Sequence, residues 1–280
     1  MSITMYQASV PTFIRMLGNL KGILEKAAAH AAAKKIDESV FLNARLSPDM
    51  FPFTRQVHIA TDFARGTGAR LSGLESPTGK LIERGDPLTT AVGYWGGLSS
   101  RVGWVVEDQS ELPSNAADYV EKLAMPYFAC AAEWYATIGI GISGGALDAI
   151  ARKHLGAPFF NLILNPGHLI HLDEWMNTPI YPNSTETLRS GQAIQCDIIP
   201  AVGPPYHSAN IEDGIALLDE RGRAELREKY PDVADRADAR RAFMADVLGI
   251  VLKPEVVPLS NLAAALPPFL LAPNRLLAIR

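Results

Sequence analysis

Val10, Phe13, Ile14, Leu17, Leu20 and Leu24 recur three and four positions apart, which lines them up along one side of an α-helix. Ser9 followed by Pro11 suggests where it starts, with a serine cap and a proline in the first turn. Residues 27–35 continue it with strong helix formers. The run SPDMFPF at 47–53 is punctuated by prolines and predicts a loop. A second helix is expected from Phe53 to about Leu71, with Val57, Ala60, Phe63 and Ala64 inward. The stretch SGLESPTGK at 72–80 breaks the period and reads as a linker.

From about residue 80 glycines and β-rich segments appear. Residues 88–95 and 102–106 read as strands. Residues 118–137 read as one long helix with Leu123, Tyr127, Cys130, Ala131 and Trp134 on one face, and 143–155 as another. Strands are expected over 168–172, 193–200 and 211–217, then a charged helical region over 223–248 and a Pro-rich tail.

Composition narrows the class. The chain has 280 residues, of which 48% are hydrophobic, 20% charged and 8% aromatic, so it is not a wholly disordered chain and can bury a real core. The formal net charge of −4 is mixed along the chain, which argues against nucleic acid or an anionic membrane as partner. Two cysteines, Cys130 and Cys196, exclude a disulfide scaffold and suit a reduced, cytoplasmic setting. The first residues lack the charged start and apolar run of a secretory signal. No uncharged run approaches the roughly 18 apolar residues of a membrane helix. The greasiest stretch, LAAALPPFLLAP at 262–273, carries three prolines and reads as a tail packed onto the domain surface.

Strand alternation gives a candidate site. Over 193–200, Ile194, Cys196 and Ile198 share one face, and Gln195 and Asp197 the other. Over 210–217, Ile211, Asp213 and Ile215 oppose Asn210, Glu212 and Gly214. Two neighbouring strands can therefore each present a carboxylate to one space, and His168 opens a third strand. One His with two carboxylates suits Mn, Fe or Zn. His171, Asp173 and Glu174 read as a polar surface patch, and His207 as a loop histidine.

PGHLIHLDEW, LRSGQAIQCDIIP and NIEDGIALLD, in that order, resemble the pita-bread metallopeptidases: creatinase, prolidase, aminopeptidase P and methionine aminopeptidase. The resemblance runs from about Ile82 to the end. It implies a truncated pita-bread α+β domain, whose active relatives hold two metal ions with Asp, Asp, His, Glu and Glu. Matched position by position, the His is His168, the first Glu is Asp197, the second Glu is Glu212, and the first Asp is nearest Asp86 in ERGDPLTTAVGYWGG. The second Asp falls at Gly97 or Leu98, which cannot ligate, and a histidine near the scissile bond falls at Trp175. The first half of the pita-bread fold is absent. Separately, MSITMYQASVPTFIRMLGNL with LSPDMFPFTRQVHIATDFARG resembles the start of a DinB-like helical bundle of unknown function.

The glycines of GIGISGG at 139–145 fit two further motifs. As G-x-G-x-x-G they lack a preceding strand and a following acid. As G-x-S-x-G they offer Ser143 as a hydrolase nucleophile, a role that needs a strand–turn–helix context. Ser143 also makes a good N-cap for the helix that follows.

The expectation is thus two partial domains: 1–77, a DinB-like helical segment, and 78–280, a pita-bread metallopeptidase-like domain. The site would hold a divalent metal (Mn, Zn, Co or Fe) through His168, Asp197 and Glu212, with Asp86 as a fourth ligand. Peptides or small amides are the implied substrates, with catalysis degraded or lost. The alternatives are a non-catalytic scaffold and a serine hydrolase using Ser143. Half-domains leave apolar surface uncovered, so homo-oligomers are expected.

Overall fold

The computed structural model describes residues 5–46, 50–71, 82–94, 97–170 and 178–280, which divide into two compact units, Met1–Leu81 and Ile82–Arg280. The first is helical: α1 (Met5–Lys34), α2 (Glu38–Leu42) and α3 (Phe53–Leu71). Pro11 sits inside α1, not in its first turn, because the helix already runs from Met5; the fixed φ of proline is itself helical. Val10, Phe13 and Leu17 face Thr61, Ala64 and Thr67 of α3 across an open groove. Val57, Ala64 and Thr67 of α3 are half-buried, whereas Ala60 and Phe63, expected inside, are exposed. The short α2 has its own cap, Asp37, whose carboxylate accepts the Ser39 N–H at 2.8 Å. The expected linker at 72–80 and residues 47–49 of the loop before α3 lie outside the described residues.

The second unit is α+β. Its hairpin is β1 (Pro87–Tyr94) and β2 (Gly97–Trp104). A π-helical turn, Val120–Ala124, runs into α4 (Met125–Thr137), followed by α5 (Gly144–Leu155). Then come β3 (Leu162–Ile163), β4 (His168–Leu169), β5 (Ala193–Asp197), β6 (Ile199–Pro200) and β7 (Asn210–Leu217). The chain continues into α6 (Glu220–Lys229), α7 (Pro231–Asp246) and β8 (Val256–Pro258). The main sheet is antiparallel, ordered β1-β2-β7-β5-β4, with β8 also on β7; β3 and β6 form a separate pair. The fold is thus α+β behind an all-α segment, as the sequence predicts.

The apolar face of the sheet makes the core. Ile194, Cys196, Ile211 and Ile215 join Tyr127, Cys130, Ala131 and Trp134 of α4 and Leu147, Ala151 and Leu155 of α5, all fully buried. Each such aliphatic side chain contributes roughly 1.5–3 kcal/mol.

Four expectations are corrected here. The helix read over 118–137 begins as a wider π turn. The strand read over 193–200 breaks at Ile198, where β6 leaves to pair with β3. Beside the last β5–β7 pair the Tyr127 hydroxyl serves β7 instead, accepting the Ile211 N–H at 2.6 Å and donating to the Ile211 carbonyl at 3.2 Å. The helical region over 223–248 is two helices, because Pro231 disfavours helical φ/ψ at Tyr230 and opens α7. The tail over 262–273 is no surface tail: Ala263, Ala264 and Leu266 are fully buried. The chain there lies along the end of β2, with the Trp104 N–H on the Pro268 carbonyl at 3.0 Å and the Leu270 N–H on the Trp104 carbonyl at 2.8 Å.

Candidate metal site

The register of the sheet builds the site. Asp197 is opposite Glu212, Gln195 is opposite Gly214, and His168 is opposite Gln195. Ser100 stands across from Glu212, and Ala91 across from Ser100. Residues opposite each other in antiparallel strands share a face. His168, Gln195, Asp197, Glu212, Ser100 and Ala91 therefore stand on the side away from Cys196 and Ile211.

On that face His168, Asp197 and Glu212 come together. Each offers a ligand atom, and the three atoms lie within 4.8 Å of one another. The residues are 3%, 5% and 8% exposed, so the charges are held largely out of water. His168 Nδ1 is 3.0 Å from the Leu169 carbonyl, which can only accept, so the ring proton sits on Nδ1. That leaves the Nε2 lone pair directed into the site, 3.8 Å from Asp197 Oδ2. Gly167 makes the approach of this strand possible: its φ is +129°, and a Cβ there would lie 2.9 Å from the Gln195 carbonyl oxygen.

Gln195 braces the same face. Its side-chain amide crosses β7 and donates to the Leu98 carbonyl on β2. The crossing passes over Gly214, where an added Cβ would stand 3.4 Å from Gln195 Oε1 and 2.9 Å from Ile170 Cδ1. The sequence reading put Gln195 on this face without finding its role. The paired glycine on β7 was the available signal.

Asp86 is not brought to the group. It precedes β1 at the Pro87↔Trp104 end of the hairpin, five residues from Ala91, which is about 16 Å along the strand at roughly 3.3 Å per residue. Its Oδ2 accepts the Glu83 N–H at 2.8 Å and closes the turn that starts the strand. Matching by sequence put a ligand there; the register puts Ala91 and Ser100 beside Glu212 instead. Leu98 contributes its backbone carbonyl to Gln195. His171, Asp173, Glu174 and Trp175 lie outside the described residues.

Ser143 is a helix cap. Its hydroxyl accepts the Ala146 N–H at 3.3 Å, and the chain enters α5 from a turn, not a strand. The glycines after it serve close packing, since a Cβ on Gly144 would meet the Pro179 carbonyl oxygen at 1.8 Å and one on Gly145 the Ser184 carbonyl oxygen at 2.5 Å. The strand–turn–helix context of a nucleophile elbow is missing, which corrects the serine-hydrolase alternative.

The opposite face supplies no ligand. Burial pushes the Cys196 thiol and the Tyr127 and Tyr135 hydroxyls well up, and the Cys130 thiol up to about 12, so all stay protonated at neutral pH. Asp213 is taken by Arg101 at 2.7 Å, Ser99 at 3.0 Å and the Ala264 N–H at 3.2 Å.

One nitrogen and two carboxylates form a donor set for a borderline-to-hard divalent ion. Ligands at about 2.0–2.2 Å from one ion lie within roughly 4 Å of each other, so the spacing asks for little closure. Ala91, Ser100 and Gly214, the flanking strand positions, add no carboxylate for a second ion.

Residues 5–86 match the family model of DUF1993, a domain of unknown function, which is well short of half of the chain. No curated protein matches. Among solved structures, the prolidase of Pyrococcus horikoshii OT3 is 21% identical over 50% of this chain and 39% of its own, with a TM-score of 0.37. An Xaa-Pro dipeptidase of Bacillus anthracis is 20% identical over 51% and 39%, with a TM-score of 0.38. A methionine aminopeptidase of Thermotoga maritima is 17% identical over 50% and 63%, with a TM-score of 0.37. The chain spans about two fifths of the length of the first of these. The likeness is partial.

Proposed function

We propose that the second unit is a metallopeptidase-like hydrolase domain of the Xaa-Pro aminopeptidase or creatinase type, binding one divalent ion through His168, Asp197 and Glu212. The observation that carries the reading is the convergence of three ligand atoms within 4.8 Å on neighbouring strands, from residues at most 8% exposed. Mn, Zn, Co and Fe all suit the donor set. When bound, such an ion polarises a carbonyl and makes a water more acidic at neutral pH. His168 presents Nε2, its ring fixed through Nδ1 by the Leu169 carbonyl. Asp197 and Glu212 bring the negative charge, and a carboxylate oxygen left off the ion can take up a proton. A peptide or small amide is the substrate class that this chemistry serves.

A second reading, a scaffold with degraded or lost catalysis, is favoured by Ala91 and Ser100 standing where further carboxylates would be needed for a second ion. The first unit, within the DUF1993 match, is read as part of a DinB-like bundle. Uncovered apolar residues such as Val92, 71% exposed on edge strand β1, support self-association. Two free, buried cysteines agree with a reducing cytoplasmic setting. Among the described residues no helix is long and apolar enough to cross a membrane.

The test is a thermal-shift titration of metal-stripped protein with Mn, Zn and Co beside Asp197→Ala and Glu212→Ala. A shift in the parent that both variants lose supports the site, and no shift with any metal rejects it. Turnover of Xaa-Pro dipeptides by the loaded parent then separates enzyme from scaffold.

A further inference from the structure

Helices α6 and α7 and strand β8 frame a cavity of about 260 Å³. Arg223 and Arg227 of α6 and Arg241 of α7 all line it, with Asp238 as its lining carboxylate and Val257 as part of its apolar wall. The three guanidinium groups are not equivalent. Arg227 is neutralised, by Asp235 at 2.8 Å and by Asp238. Arg223 donates to the Leu218 carbonyl at 2.8 Å. Arg241 donates to the carbonyls of Lys253 at 2.9 Å, Leu252 at 3.1 Å and Val256.

Backbone carbonyls fix a guanidinium without cancelling its charge. Arg223 and Arg241 are therefore two oriented cations sharing one concave space. Burial lowers the pKa of Arg241; Asp238 opposes that lowering, and Arg223 adds to it. Each guanidinium carries five N–H donors. Arg223 commits one of them and Arg241 three to carbonyls, so both keep donors for a further acceptor. The volume lies just below the roughly 300–1,000 Å³ of small-molecule pockets, which suits a compact ligand.

We propose that this cavity is an anion site for a dianionic phosphate, free or at the end of a small phosphomonoester, gripped by Arg223 and Arg241. Paired guanidinium forks match the geometry and charge of a phosphate group. Arg227, already held by two carboxylates, frames the site without serving as a ligand. The site is independent of the metal reading, since it shares no residue with that group and needs no ion.

The test uses the full chain in a chelator, titrated with sodium phosphate, with a small phosphomonoester, and with sodium chloride at matched ionic strength. Melting temperature and calorimetric heat are followed together. Both phosphates should raise the melting temperature and give saturable heat, and chloride should do neither. Tighter binding of the ester identifies a terminal phosphate as the natural group; equal binding identifies the free anion. Arg223→Met should weaken phosphate at least about tenfold while leaving the phosphate-free melt near the parent. Arg241→Met should do the same, but its three carbonyl bonds make it the less clean variant, so Arg223→Met decides. An equal response to chloride, or full phosphate affinity in Arg223→Met, overturns the proposal.

Discussion

Glu212 and Asp213 are neighbours on β7, and they lead different lives. Asp213 points to the helical side and is fully buried. There Arg101, Ser99 and the Ala264 N–H take its oxygens, and the Arg101 fork also reaches the Leu262 carbonyl at 2.5 Å. Glu212 points the other way and is grouped with a second carboxylate and an imidazole. A buried carboxylate with a cation and its hydrogen bonds already in place is a strut. A buried carboxylate set beside another carboxylate is a group that a divalent ion would stabilise. Strand alternation alone decides which of the two adjacent acids does which.

The largest expected effect breaks the strut. Asp213→Ala leaves Arg101 buried without its counter-charge and should destabilise the second unit by about 3–5 kcal/mol, with or without metal. All four tryptophans, at 95, 104, 134 and 175, lie in that unit, so denaturant unfolding followed by tryptophan fluorescence reads it alone. A loss below about 1 kcal/mol would contradict the role given to the pair.

Glu212→Gln addresses the neighbouring acid on β7. Removing one of two clustered carboxylates should leave the metal-free protein at least as stable as the parent. The gain seen with metal, about 2.7 kcal/mol at 100 times the Kd, should disappear. Metal-free destabilisation as large as that of Asp213→Ala would make Glu212 a strut as well.

Gly214→Ala probes the brace between them. The new Cβ presses Ile170 and crowds the path of Gln195 to Leu98, an overpacking cost of about 1–3 kcal/mol. Metal affinity should fall with it. A variant that melts lower and binds metal as the parent does would confine Gln195 to stability.

The smallest effect lies on the surface. Glu133 of α4 meets Lys153 at 2.8 Å and His154 at 2.6 Å on α5, and Lys153 first, then His154, hold its carboxyl below the ordinary value of 4.5. A depressed folded pKa means that folding favours the ionised form. The stabilisation is complete above the unfolded pKa and is lost as pH falls through the folded one. Solvent screening keeps it small, so Glu133→Gln should cost at most about 0.5 kcal/mol at pH 7, and the difference should shrink progressively as pH falls below 4.5. Thermal melts of both proteins across that range check it.

The contrast also shows how far the sequence could be read. Period-two alternation put Asp197 and Glu212 on one face and Asp213 on the other, because side chains on a strand have no other choice. The ends of α3 came from its apolar spacing and the loop before it. What failed was long-range. Nothing local says that Leu262 and Ala264 complete the Arg101–Asp213 pair, so a proline-bearing tail read as surface although it is core. Asp86 failed for a related reason. Counting along the chain from a Gly-Asp turn ignores the register, and the register sets Ala91 and Ser100 beside Glu212. The break of β5 at Ile198 depends on Tyr127, a hydroxyl delivered from another element.

We propose above that one ion binds where Glu212, Asp197 and His168 meet. Isothermal titration of the metal-stripped chain with Mn2+ tests it directly. One ion per chain is expected, abolished by Glu212→Gln and Asp197→Ala. Two ions per chain, or one ion still bound by both variants, would contradict it.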